Sequence, residues 1–339
     1  MGYLRLTATA LAAVVCMVAD ASEQEGNDEK IFTGSAYTEV NYGHKYYGEE
    51  RTLWDFPHIV LSGELRLGKG WTVTAEFEYE RFYDEGEWGN NFGDNFATNL
   101  FYVNKSFSNA FNVKAGIIGV PVGLTNSGGP ALTIYDPESE AAILPMTWHE
   151  TGVALWGEAG KWSYELAALA YFDAPFKRSK MLGAAARIAH SNLIDGLNIG
   201  LSGYWGTSSC GMVGFGKPAD FIGDNGLAYG GVDFAYENNG WTVDGSAIYC
   251  TDNDAKTAGV EAGYDLATLF DATNGKMQLV PFVRYDGVFT DVRMNKLTVG
   301  ANISPLENLV VKVEYGRRKY CGEQIERTFD VGIGYSIDF

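Results

Sequence analysis

The sequence predicts an all-β fold, a transmembrane antiparallel β-barrel of about sixteen strands, and three observations carry the prediction. Apolar and polar residues alternate with period two along nearly the whole chain from residue 32 onward. The connections between the alternating runs are short and long in turn. The last run ends at Phe339, with Phe329, Val331, Ile333, Tyr335 and Ile337 on the same face as that terminal ring.

Ahead of the strands, Arg5 precedes an apolar stretch from Leu6 to Ala19 that ends in Ala19-Asp20-Ala21. A positive start, a short apolar region and a small-residue site are expected of a secretory signal peptide cut after Ala21. The stretch is shorter than the roughly 20 apolar residues of a spanning helix. The chain therefore divides into a leader, 1–21, and one barrel domain, 22–339, of a protein bound for the outer membrane.

The strands are expected near 32–42, 56–67, 71–81, 96–107, 110–119, 150–158, 161–172, 181–190, 196–206, 227–237, 240–250, 257–267, 276–287, 294–304, 308–319 and 328–339. In 71–81, Trp71, Val73, Ala75, Phe77 and Tyr79 share one face, and Thr72, Thr74, Glu76, Glu78 and Glu80 share the other. In 309–318, Leu309, Val311, Val313 and Tyr315 oppose Lys312, Glu314 and Arg318. Tight turns at Gly68-Lys69-Gly70, Ser108-Asn109, Gly160-Lys161 and Asn238-Asn239-Gly240 alternate with longer polar stretches at 43–55, 82–95, 120–149 and 207–226. Short turns at one rim and long loops at the other are the transmembrane-barrel layout. The terminal Tyr335, Ile337 and Phe339 are expected to be read by the barrel assembly machinery.

If the aromatic faces meet lipid, the opposite faces line a lumen. That places Glu64, Arg66, Glu76, Glu78 and Glu80 inside, with Lys114, Arg187, Arg284, Lys312, Glu314 and Arg318 further along. Unpaired charges at this density would be costly in a packed core, and water in a pore removes the cost. The formal net charge of −18 argues against nucleic acid as a partner.

The segment 120–149 is long and unusually apolar for a loop, with Leu132, Ile134, Ile143, Leu144 and Trp148. It is expected to fold into the barrel mouth as a constriction, presenting Asp136, Glu138 and Glu140 to the pore.

No catalytic constellation emerges. His44 can be drawn with Asp55, and His149 with Glu150, without an orienting third group. Asp252-Asn253-Asp254 lacks the glycine and distal glutamate of a calcium loop. No cofactor and no metal site is expected. Past the leader, Cys210, Cys250 and Cys321 form no zinc pattern; one disulfide among them stays open.

Residues 116–123 (Gly-Ile-Ile-Gly-Val-Pro-Val-Gly), 150–157 (Glu-Thr-Gly-Val-Ala-Leu-Trp-Gly) and 164–173 (Tyr-Glu-Leu-Ala-Ala-Leu-Ala-Tyr-Phe-Asp) resemble the phosphate-selective (O/P-type) porin family. The match covers roughly 111–173. It implies a sixteen-stranded barrel, a homotrimer and a constriction in the third loop. Those porins conduct anions past arginines and lysines, and 120–149 contains neither. The expected function is passive diffusion of small hydrophilic solutes and ions, not phosphate-selective, with weak preference for cations. The competing expectation is a structural or adhesive barrel that binds a partner through its outer loops.

Overall fold

The structure, a computed structural model, describes residues 31–44, 52–84, 87–88, 95–127, 132–145, 148–173, 177–206, 212–214, 217–219, 227–251, 254–269, 277–290 and 293–339. The expected leader (1–21), Cys210 and Asp252-Asn253 lie outside them.

Sixteen strands close into one antiparallel barrel. They are β1 (Phe32–His44), β2 (Thr52–Gly68), β3 (Trp71–Asp84), β4 (Phe96–Ser108), β5 (Phe111–Gly119), β6 (His149–Ala159), β7 (Trp162–Asp173) and β8 (Lys177–His190). The second half comprises β9 (Leu197–Gly206), β10 (Leu227–Asn238), β11 (Trp241–Cys250), β12 (Ala255–Tyr264), β13 (Gln278–Phe289), β14 (Arg293–Leu306), β15 (Leu309–Tyr320) and β16 (Ile325–Asp338). Each strand pairs with its sequence neighbours, and β1 closes the ring on β16 in register from Ser35↔Asp338 to His44↔Phe329. Closure leaves no unpaired sheet edge. A two-residue strand, Glu87–Trp88, extends the ladder of β3, and Met212–Gly214 with Lys217–Ala219 forms a separate small hairpin.

The seam is finished by Phe339. Its amide and carbonyl exchange bonds of 2.9 and 3.0 Å with Gly34, and its ring stacks on Phe32 at 6.1 Å. At the opposite turn of the meander, Asn239 and Gly240 both take positive φ (53° and 81°), the backbone that a tight two-residue hairpin requires.

Most strand ends fall within two residues of expectation; five differ by three or four (Thr52, Asp84, Lys177, Tyr264 and Ile325), and two of these have a visible physical cause. β2 begins at Thr52 rather than 56, because Pro57 sits at a bulge inside the strand instead of at its start. β12 ends at Tyr264 rather than 267: the Asp265 carboxylate accepts the amides of Ala267 (3.0 Å) and Leu279 (3.1 Å), turning the chain into the short 3-10 helix Leu266–Leu269. Cys250 is buried, Cys321 is exposed, and no disulfide joins the two.

The wall has two unlike faces. Val103, Val153, Leu166, Leu201, Val232, Val299 and Ile333 are exposed, and Trp71, Phe107, Phe111, Trp162 and Trp241 ring the rim of the short turns. The opposite face holds Asp233, Asp244, Glu261, Arg284, Asp286, Glu314, Arg318 and Asp330, all buried. Charge is thus covered and apolar surface is accessible, the reverse of a water-soluble fold.

Candidate functional site

The segment 120–148, which joins β5 to β6, is bonded to the polar face of the wall at several of its described residues. At its base, Val120, Val122, Ile143, Leu144 and Trp148 pack into one buried cluster with Ala154, Ala167 and Ala185 of β6–β8. Three alanines on adjacent strands leave room for the indole, which meets Tyr204 at 4.7 Å and Tyr229 at 5.8 Å. A single helical turn, α1 (Glu138–Ala141), follows Pro137.

From here polar bonds take over. The Glu138 carboxylate accepts from Lys296 Nζ (2.7 Å) on β14 and from Arg318 Nε (2.7 Å) on β15. Glu140 accepts the amides of Leu124 (2.9 Å) and Thr125 (2.8 Å) and the hydroxyl of Ser246 on β11. Ser139 donates through its hydroxyl to Asp286 at 2.7 Å. The amide of Leu132 donates to Glu261 (3.0 Å), that of Ile134 to Glu314, and Lys312 donates to the Thr133 carbonyl at 2.7 Å.

These bonds correct one expectation. Glu138 and Glu140 do not offer open carboxylates; they are 3% and 1% exposed and serve as anchors. A carboxylate beside two cations, or beside two free amides, is more stable bonded than hydrated. Lys296, Arg318 and Ser246 lie more than a hundred residues from these carboxylates in the sequence. Arg284, Lys312, Glu314 and Arg318, expected along a lumen, lie against the same segment, with Arg284 bonded to Glu261 and Asp286 at 3.0 Å each. Lys114 pairs with Glu165 (2.8 Å), Arg187 pairs with Asp233, and the exposed Arg66 sits 3.4 Å from Glu64.

Asp136 differs from its neighbours. Burial, followed by the Glu140 charge, pushes its carboxyl up to about 7 against the pull of Arg284, and the charges of Glu78 and Glu39 add to the rise. Those last two residues belong to β3 and β1, so the tip of the segment faces the β1–β3 arc electrostatically. A raised carboxyl penalises the docked segment once ionised, and the penalty grows as pH rises from about 4 toward 7. Asp136→Asn is therefore expected to make docking firmer at pH 8 and to lessen its dependence on pH between 5 and 8. Limited proteolysis of the segment across that range checks it; an unchanged pH profile refutes it.

The β1–β3 arc carries a group that the sequence did not reveal. His58 Nδ1 lies 2.8 Å from Glu39 Oε1, 2.9 Å from Asp55 Oδ2 and 3.8 Å from Glu80 Oε1. Its Nε2 meets Glu78 Oε1 at 2.6 Å. Asn99 on β4 donates to Glu78 Oε2 (2.8 Å), and Glu76 accepts from Ser62 (2.7 Å). Asp55 and His58 are an odd number of positions apart and would point to opposite faces of a regular strand. The bulge adds one residue to β2 between the pairs Asp55↔Phe82 and His58↔Glu80, and brings both to one face. Pro57 within an alternating run was the available signal.

No protein-family model matches the chain. An uncharacterized protein of Aquifex aeolicus is 27% identical over 131 residues, which cover 38% of this chain and 29% of that relative. The chain thus spans under a third of that relative's length. Solved structures give a fuller match. The chain has the fold of the outer-membrane porins. OprB of Pseudomonas putida superposes with a TM-score of 0.66 at 11% identity, covering 91% of this chain and 94% of that one. OmpT of Vibrio cholerae lacking loop L8 gives 0.60 at 12% identity, with 90% and 98% covered. An anion-selective porin from Comamonas acidovorans gives 0.55 at 15% identity, with 91% and 98% covered.

Proposed function

We propose that the chain is an outer-membrane porin, a barrel through which small hydrophilic solutes and ions diffuse passively, with a preference for cations. Its apolar face meets lipid and its charged face encloses water. The segment 120–148 folds inward and narrows the passage.

The observation that carries the cation preference is where the charges remain open. Arg284, Lys296 and Arg318 are each tied to carboxylates beneath the inward segment. Across from its tip, Glu39, Glu76, Glu78 and Glu80 share the β1–β3 arc with one imidazole. Fixed carboxylates at a constriction attract cations and repel anions. The O/P-type resemblance at 111–173 supports the strand layout and a homotrimer, and it predicts the opposite selectivity.

Purified protein in a planar bilayer tests the reading. Discrete open-channel steps with a reversal potential on the cation side of a salt gradient are expected, without block of the current by phosphate. No steps, or an anion-side potential, would overturn it.

Assembly follows from the seam. Phe339 contributes two backbone bonds and a ring contact to closure, and with Tyr335 and Ile337 it forms the terminal signal read by the assembly machinery. Deleting Phe339 is expected to lower the heat-modifiable folded form in membranes several-fold, while channels that do assemble conduct normally. Unchanged folded yield would remove the assignment.

A further inference from the structure

The β1–β3 arc holds more negative charge than it neutralises. Four carboxylates, from Glu39, Asp55, Glu78 and Glu80, approach the single imidazole of His58, which joins Glu39 with Asp55 in one group and Glu78 with Glu80 in another, the atoms of each lying within 4.8 Å of one another. Charge alone does not make a site. One further atom points to a missing electrophile. Asp55 is only 1% exposed, and its Oδ1, geminal to the oxygen bonded to His58, has no hydrogen-bond partner. A buried acceptor without a donor is costly.

The two imidazole nitrogens have different surroundings. Three carboxylates converge on Nδ1, from three positions around it: Glu39 on β1, Asp55 before the bulge, Glu80 on β3. Only Glu78 meets Nε2, and Asn99 holds Glu78 in turn. One nitrogen facing three oxygens, with the other nitrogen donating to an oriented carboxylate, is the arrangement of a metal-binding histidine and its supporting acid. Glu39, His58 and Glu80 are partly open, so a hydrated ion can reach the group.

We propose that Nδ1 of His58, with Glu39, Asp55 and Glu80, binds one divalent transition-metal cation, with Glu78 fixing the ring through Nε2–H. An imidazole nitrogen among carboxylates selects this class over calcium and magnesium, which take oxygen alone. Binding displaces the Nδ1 proton to solvent and gives Nδ1 and the three oxygens one shared electrophile in place of that proton.

Zinc retention by the folded full-length barrel tests the site. Detergent-solubilised protein is dialysed against ZnCl2 and then against metal-free buffer containing millimolar MgCl2 and CaCl2, and bound zinc is counted by elemental analysis. One zinc per chain is expected to remain. His58→Asn and Asp55→Asn should each weaken retention by roughly tenfold or more, and Glu78→Gln by a smaller factor. Heat-modifiability of every variant verifies folding, and Glu165→Gln, on β7, should leave retention unchanged. Equal retention by His58→Asn, displacement by calcium or magnesium, or no zinc on the unmodified barrel would each overturn the proposal. Conductance plays no part in this readout, so the site and the channel can fail separately.

Discussion

Replacing Glu138 by glutamine should detach the segment 120–148 from the wall while leaving the barrel standing. The carboxylate is the shared partner of Lys296 and Arg318, and all three groups are screened from water. Removing it strips Lys296 of its carboxylate and leaves Arg318 with Glu326 alone (3.1 Å), and breaking such a buried group costs up to about 3–5 kcal/mol. The barrel is held by its backbone ladders and does not depend on this group. Protease sensitivity within 120–148 should rise sharply and the open-channel current should change, with heat-modifiability preserved. Exchanging Glu138, Lys296 and Arg318 together for apolar residues of similar volume should restore much of the protection, since the one carboxylate left without its partner, Glu326, is partly open to water. If Glu138→Gln resists protease as the unmodified protein does, the anchor has been misread.

The same anchor is insensitive to mild acid. Burial alone would raise the Glu138 carboxyl, but the Lys296 and Arg318 charges overcome it and hold it down to about 2. Its contribution is complete above the unperturbed value of 4.5 and is lost only as pH falls through about 2.

Selectivity should respond most to the wall opposite the segment. Changing Glu64, Glu76 and Glu80 together to glutamine is expected to cut the cation-to-anion permeability ratio several-fold, measured from reversal potentials with a metal chelator present. The change should be large at 0.01 M salt and nearly vanish at 1 M, where the Debye length has shrunk from about 30 Å to about 3 Å. Neutralising Asp136, Glu138 and Glu140 also moves the potential toward anions, but for another reason: it uncovers Lys296 and Arg318 and loosens the segment. A ratio unmoved by the wall variant would place the selective charges elsewhere.

Strand alternation, the alternating turn lengths and the closing aromatic run were all legible in sequence, because each is a local pattern with period two. The apolar character of 120–149 was legible too, as a segment that needed something to pack on. What it packs on was not. The partners of Glu138 lie 158 and 180 positions along the chain, and a carboxylate in a loop looks the same whether it meets water or arginine. The His58 group was hidden differently. An unbroken period places Asp55 and His58 on opposite faces, and the single extra residue beside Pro57 reverses that for Asp55. In sequence, Asp55 pairs as readily with His44 as with His58.

The covering of Arg284, Lys296 and Arg318 has a consequence for dipolar solutes. A narrow passage with positive charge on one side and negative on the other imposes a transverse field and aligns whatever crosses it. Here the positive side lies under the segment in neutralised groups, and above pH 7, where Asp136 is ionised, its charge and those of Glu39 and Glu78 repel one another. With like charge on both flanks, the transverse components oppose one another and the axial potential well remains. A zwitterion would cross with little orientational bias, whatever its dipole moment. Permeation rates among solutes of one size should then rank by net charge.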